Sequence, residues 1–195
     1  MSKFTKAHLR EAVQIIESLD VEIIEQLADY LESLKVKNGR LFVLGVGGSA
    51  ANASHAVNDF RKLASIEAYA PSDNVAEITA RANDEGWSTI FSGWLKVSKL
   101  SSADCLLILS VGGGDSIRNV SPNLVEAVDL AKSVGAGILG IVGRDGGYTA
   151  KNADVCLIIP NLFPESVTPH AETFQTLIWH LLVSHPKLKS NQTKW

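Results

Sequence analysis

The sequence predicts an α/β fold built on a mainly parallel sheet, and three observations carry that prediction. Short continuous apolar runs, LFVLG at 41–45, CLLILS at 105–110, GILGIVG at 137–143 and VCLIIP at 155–160, have the length and composition of strands covered on both faces. Stretches with helical periodicity separate them, so strand and helix alternate. Two of the strands run directly into glycine-rich turns that open helices, and ligands of open α/β sheets gather at that end of the strands.

The first forty residues stand apart from this alternation. Leu9, Val13 and Ile16, then Ile24, Leu27, Leu31 and Leu34, recur at helical spacing, with Asp20 between the two sets as an N-cap. They predict a helical hairpin over 1–39 that closes at Asn38-Gly39. An α/β core over 40–185 follows. It opens with the strand at 41–45 and a helix over 49–64 that starts at Ser49. A weakly alternating strand, IEAYA at 66–70, leads to helices over 75–83 and 87–100. After the strand at 105–110, Ser121 as N-cap and Pro122 in the first turn start a helix over 122–135. The strands at 137–143 and 155–160 and a last helix over 168–184 complete it, and 186–195 form a C-terminal tail. The expected architecture is a three-layer sandwich, a five-stranded sheet between helices, with all 195 residues in one domain.

Composition narrows the function. At 46% hydrophobic and 20% charged residues, the chain can bury one substantial core. A net charge of −3, with no run of Lys or Arg longer than the pair Arg61-Lys62, leaves no basic footprint for nucleic acid. The N-terminus is charged throughout and no stretch approaches 18 apolar residues, which argues against a signal peptide and a membrane span. Cys105 and Cys156 each sit inside an apolar run, as small hydrophobes of a reducing, cytoplasmic compartment.

The sharpest motif is GVGGSAANASH at 45–55. Backbone N–H groups and the positive helix end at such a turn favour an anion. Gly47 and Gly48 let the main chain approach it, and Ser49 offers a hydroxyl. A tight turn with a capping serine would show the same pattern. A second loop, SVGGGDSIRNVSPN at 110–123, makes Ser110, Ser121 and Arg118 candidates for holding one phosphate. His55 and Asp59 lie one helical turn apart and share a face. Glu172 and His180, eight residues apart, are separated by about 12 Å of helix. Gly45-x-Gly47-x-x-Ala50 also fits a loose dinucleotide fingerprint, which explains neither the Ser110 loop nor the last helix.

As a set, these residues resemble the phosphoheptose isomerases of the sugar isomerase (SIS) domain family, over nearly the whole chain. GVGGSAANASH, Asn83-Asp84 in RANDEGW, the Ser110 loop, VGRDGGYTA at 142–150 and the segment from Glu172 to His180 carry the resemblance. It implies an isomerase that interconverts sedoheptulose 7-phosphate and a heptose 7-phosphate through an enediol. It further implies that Gly47, Gly48, Ser49, Asn83, Asp84, Ser110 and Ser121 bind the substrate and its phosphate, and that Asp59, Glu172 and His180 are catalytic. His55, Asp59, Glu172 and His180 would hold one zinc ion per subunit. The resemblance also implies a homotetramer with active sites where subunits meet. Four departures from the family pattern stand out: Val46 where asparagine is common, a longer serine loop with Gly112 in place of a hydroxyl, Asp59 for glutamate, and Glu172 for glutamine. The base is then Asp59 or Glu172. The alternative from another class is a non-catalytic sugar-phosphate binder or adaptor on the same fold, which would need no His55, Asp59 and His180.

Overall fold

The computed structural model describes residues 3–192. Five strands, β1 (Leu41–Leu44), β2 (Ala68–Tyr69), β3 (Cys105–Ser110), β4 (Gly137–Val142) and β5 (Val155–Ile158), form one sheet. Its order is β2-β1-β3-β4-β5 and every pairing is parallel. Eight α-helices accompany it among the described residues: α1 (Lys3–Glu17), α2 (Val21–Val36), α3 (Gly48–Lys62), α4 (Val75–Asp84), α5 (Ile90–Val97), α6 (Pro122–Val134), α7 (Gly147–Asn152) and α8 (Val167–Ser184). None of the helices is long and apolar enough to cross a membrane.

Side chains alternate across the strands, and so fill two separate layers. Leu41, Val43, Leu107, Leu109, Leu139 and Ile141 meet α2, α3 and α8, where Leu27, Leu31, Phe60, Phe174 and Trp179 are buried. Phe42, Leu44, Leu106, Ile108 and Ile138 face the other way, onto Phe91 and Leu95 of α5 and Leu124 and Val128 of α6. The expected three layers are present, with the sheet buried on both sides. At the N-terminal edge of β1 and β3, Arg40 grips Asp104 through Nε at 2.9 Å and Nη2 at 2.7 Å. Burial pushes the Asp104 carboxyl up, but hydrogen bonds from Arg40 and Ser101 outweigh it and hold the group below the ordinary carboxylate range.

Several elements differ from expectation for identifiable reasons. α2 begins as read, with Asp20 accepting the Ile23 N–H at 3.2 Å, and its apolar face packs on the sheet within the same chain. α1 does not follow it: only Ile15 is buried, while Leu9, Val13 and Ile16 are exposed together with Phe4. The strand read at 66–70 shrinks to two residues at the sheet edge. The helix read over 87–100 is divided into a 3₁₀ turn at Trp87–Thr89 and α5, which ends before Lys99 turns left-handed at φ 55°. α7 was not anticipated, because two glycines in left-handed conformation, Gly146 and Gly147, mask its start. The first two residues of the expected hairpin and the last three of the expected tail lie outside the described residues.

Candidate active site

β1 runs into the glycine turn and α3 opens at Gly48, with Gly47 at the cap position at a positive φ of 64° that favours glycine. Glycine has no side chain to offer the first-turn N–H groups, so this helix end has no side-chain cap and remains suited to an anion. Ser49 was expected to cap the helix and does not. It lies inside the first turn, and its Oγ is buried with no hydrogen-bond partner. A buried hydroxyl left without a partner is uncommon in a native fold.

α3 lies alongside α8, and the two run in the same direction. The Asn52 side-chain amide donates to the Glu172 carbonyl at 2.9 Å and to Gln175 Oε1 at 3.0 Å, and Thr176 Oγ1 donates to Asn52 Oδ1 at 3.0 Å. This polar seam fixes which turn of α8 meets which turn of α3. At its start the Glu172 carboxylate lies against the Cα of Gly48, close enough that a Cβ there would come within 2.4 Å of Oε2. Towards its far end, Asp59 of α3 meets two imidazoles, with Oδ2 at 3.8 Å from His55 Nε2 and 3.6 Å from His180 Nε2.

The three residues form one cluster. The rings of His55 and His180 meet edge to face at 5.4 Å, and the buried Trp179 ring contacts both, at 4.6 and 3.5 Å. Asp59 is 7% exposed at its side chain, against 57% for His55 and 46% for His180. A carboxylate is therefore recessed at the base of a notch whose rim is two accessible imidazoles. Asn58 Nδ2 donates to its other oxygen at 2.8 Å, which orients the group. Two imidazole nitrogens and a carboxylate oxygen, all within 4.8 Å of one another, suit zinc, around which tetrahedral donors sit about 3.3–3.5 Å apart.

The four-residue set expected from the resemblance does not assemble within one chain. Glu172 is two helical turns from His180, and the seam leaves it at the glycine turn instead of beside Asp59.

The second anion-suited loop is held rigidly. Ser110 Oγ accepts the Gly113 N–H at 3.0 Å, and the loop docks on α7. Gly113 O accepts both the Thr149 N–H and its hydroxyl, at 2.9 and 2.8 Å, while Gly114 O accepts the Tyr148 N–H at 2.8 Å. The approach is so close that a Cβ on Gly113 would lie 2.0 Å from Gly146 O, and one on Gly147 2.1 Å from Gly112 O. The extra length of this loop is a tight hairpin, in which Asp115 and Val120 exchange backbone hydrogen bonds of 2.9 and 3.0 Å. Ser121 follows in left-handed conformation, φ 48°, and makes no side-chain cap, contrary to its expected role. A cleft of about 510 Å³ opens beside this loop, and Arg118, Arg144 and Lys151 line it. Of these the sequence pointed only to Arg118. Arg144 and Lys151 could have been found from the VGRDGGYTAK run, whose glycines mark another strand-to-helix turn. Asn83 and Asp84 sit at the end of α4, exposed and bonded to each other at 2.7 Å.

The SIS domain family model matches residues 5–143. The chain belongs to the SIS domain family. Within it, the phosphoheptose isomerase of Helicobacter hepaticus is 30% identical over 182 residues, covering 90% of this chain and 86% of that protein. The phosphoheptose isomerase of Trichlorobacter lovleyi is 29% identical over 191 residues, covering 93% of this chain and 91% of that one. Among solved structures, the Neisseria gonorrhoeae phosphoheptose isomerase superposes with a TM-score of 0.81 at 26% identity, over 93% of this chain and 96% of that one. The SIS relatives thus share the sheet and the helices around it, the N-terminal pair included.

Proposed function

We propose that this SIS-family chain is an aldose–ketose isomerase that interconverts sedoheptulose 7-phosphate and D-glycero-D-manno-heptose 7-phosphate. The observation that carries the reading is the recessed Asp59 carboxylate between His55 and His180, about three turns along α3 from a helix N-terminus that has no side-chain cap. The reaction moves one proton between C1 and C2 through an enediol, so it needs a base at carbon and a proton carrier at the two oxygens. Asp59 takes the proton from one carbon and returns it to the other. His180, exposed beside it, carries the proton between O1 and O2. The phosphate rests on the backbone of Gly47 and Gly48 and on the hydroxyls of Ser49, Ser110 and Ser121, and anchoring it there fixes the reacting carbons. The unpartnered Ser49 hydroxyl supports that contact. Glu172, against Gly48, orients substrate hydroxyls, and Asn83-Asp84 supply further polar contacts to the chain of the sugar.

His55, Asp59 and His180 fit a zinc ion by donor type and spacing, and zinc bound there would polarise the carbonyl and hydroxyl oxygens as a Lewis acid. The exposed apolar stripe of Phe4, Leu9, Val13 and Ile16 on α1 supports a homo-oligomer in which this face is covered by another copy, and we place the enzyme in the cytoplasm.

The test is incubation with sedoheptulose 7-phosphate and identification of the product, with and without a chelator. Asp59→Asn and His180→Ala should each lower kcat by about 10²–10⁴-fold with an unchanged circular dichroism spectrum. Parent-like turnover by Asp59→Asn would overturn the assignment of the base. Activity indifferent to chelation, with no zinc found by metal analysis, would remove the metal alone.

A further inference from the structure

A second group of metal-ligating side chains lies apart from the site described above, where α1 crosses the start of α8. His8 and Glu11 of α1 and His170 of α8 direct one donor atom each to a common point, all within 4.8 Å of one another. Glu11 Oε2 is 2.8 Å from His170 Nε2 and 3.7 Å from His8 Nδ1. The two imidazoles stack almost parallel, 4.4 Å between centroids at 15°, so their edges face the same carboxylate oxygen.

Two features exceed what an ordinary helix-to-helix hydrogen bond requires. First, His170 satisfies Glu11 on its own, which leaves His8 aligned with the pair yet too far from Glu11 for a hydrogen bond. Second, the group has the surroundings of a ligand set. Phe4 stacks on His8, while Phe163 and Phe174 pack beside the nearly buried His170, and the hydrogen bond to His170 orients the Glu11 carboxylate. Oriented carboxylates and an apolar shell are what hold metal ligands in place. Two imidazoles and one carboxylate match the donor set of three-ligand zinc sites of proteins.

We propose that His8, Glu11 and His170 bind a second divalent transition metal ion, zinc or one of similar preference, which fastens α1 to α8. α1 has one buried residue, Ile15, so its own packing holds it weakly. An ion ligated from both helices would supply the missing attachment, and the site is independent of the proposed isomerase chemistry.

The experiment uses the full chain carrying His55→Ala and His180→Ala, which removes the other cluster. Stripped of metal and dialysed against micromolar Zn²⁺, this variant should bind about one equivalent per chain, and Co²⁺ in its place should give visible d–d absorption. Adding Glu11→Gln or His8→Ala should abolish both signals, a loss larger than the roughly 10–100-fold that outer-shell changes cost, and should also abolish the Zn²⁺-induced rise in Tm. Glu11→Gln keeps the shape of the side chain, so a loss of binding with an unchanged apo Tm reports ligation and not unfolding. Absence of bound zinc in the double variant, or binding undiminished by Glu11→Gln, would overturn the proposal.

Discussion

Replacing Gly48 with alanine separates two effects that the structure sets against each other. Alanine is favoured over glycine inside a helix by up to about 1 kcal/mol, and Gly48 has no left-handed φ that a side chain would strain. A Cβ there, however, would lie 2.4 Å from Glu172 Oε2 and 2.6 Å from its Cδ. Ordinary contact is near 3.5 Å, so the carboxylate must retreat by about 1 Å. Because it is the end of a flexible side chain, the cost should be at the low end of the roughly 1–3 kcal/mol that overpacking brings. Gly48→Ala should therefore change stability by no more than about 1 kcal/mol, while a displacement of this size beside the substrate lowers kcat/KM by up to about 10²-fold. Urea unfolding and isomerase kinetics would be measured for Gly48→Ala alone and in a Glu172→Ala background, where the methyl group meets no carboxylate and the helix gain should appear. Coupling between the two substitutions should exceed about 0.5 kcal/mol. If Gly48→Ala had the same effect on stability in both backgrounds, the contact between Gly48 and Glu172 would not exist as described.

Other consequences are as direct. The Asp104 carboxyl titrates lower in the folded chain than the roughly 3.9 of an unfolded one, so its pairing with Arg40 stabilises the fold above about pH 4 and is lost as pH falls through the folded value; Asp104→Asn should flatten this part of the acid dependence of the urea midpoint. Ser110→Ala removes the acceptor of the Gly113 N–H and should cost about 1 kcal/mol while raising KM, and an unchanged KM would exclude a substrate contact at that hydroxyl. Leu31→Ala, in the fully buried face of α2, should cost about 2–5 kcal/mol. Leu9→Ala on the exposed stripe of α1 should change the stability of the single chain by less than about 0.5 kcal/mol, and light scattering should show a weakened assembly.

Much of this fold was legible because the strands are buried on both faces. CLLIL and GILGIV have no charged or strongly polar residue that could point outward, and β3 and β4 occupy the runs where they were expected. The limits appear wherever tertiary contact overrides local pattern. α1 and α2 carry the same periodicity, yet only α2 turns its apolar face to the sheet, and nothing in the spacing of Leu9, Val13 and Ile16 distinguishes the two. Ser49 and Ser121 have the right residue type for caps, but glycine and left-handed backbone geometry, invisible in the residue order, displaced both from that role. The pairing of His55 with Asp59 follows from one turn of helix. That His180 and not Glu172 joins them depends on the offset at which α8 lies beside α3, which the Asn52 seam determines and no spacing within α8 could reveal. The meeting of His8 and Glu11 with His170 needs contact across 159 positions, and was equally out of reach.

The glycine-to-glycine docking of the Ser110 loop on α7 makes the two segments a single cassette. With no space for a methyl group on either side, neither can be exchanged or re-shaped while the other stays. Growth in chain length has one outlet, and the 115–120 hairpin takes it, turning back on itself so that Gly114 and Ser121 stay neighbours. Its tip carries Ile117 and Arg118 into solvent. Residues can therefore be grafted or trimmed at that tip without disturbing the packed glycines beneath it.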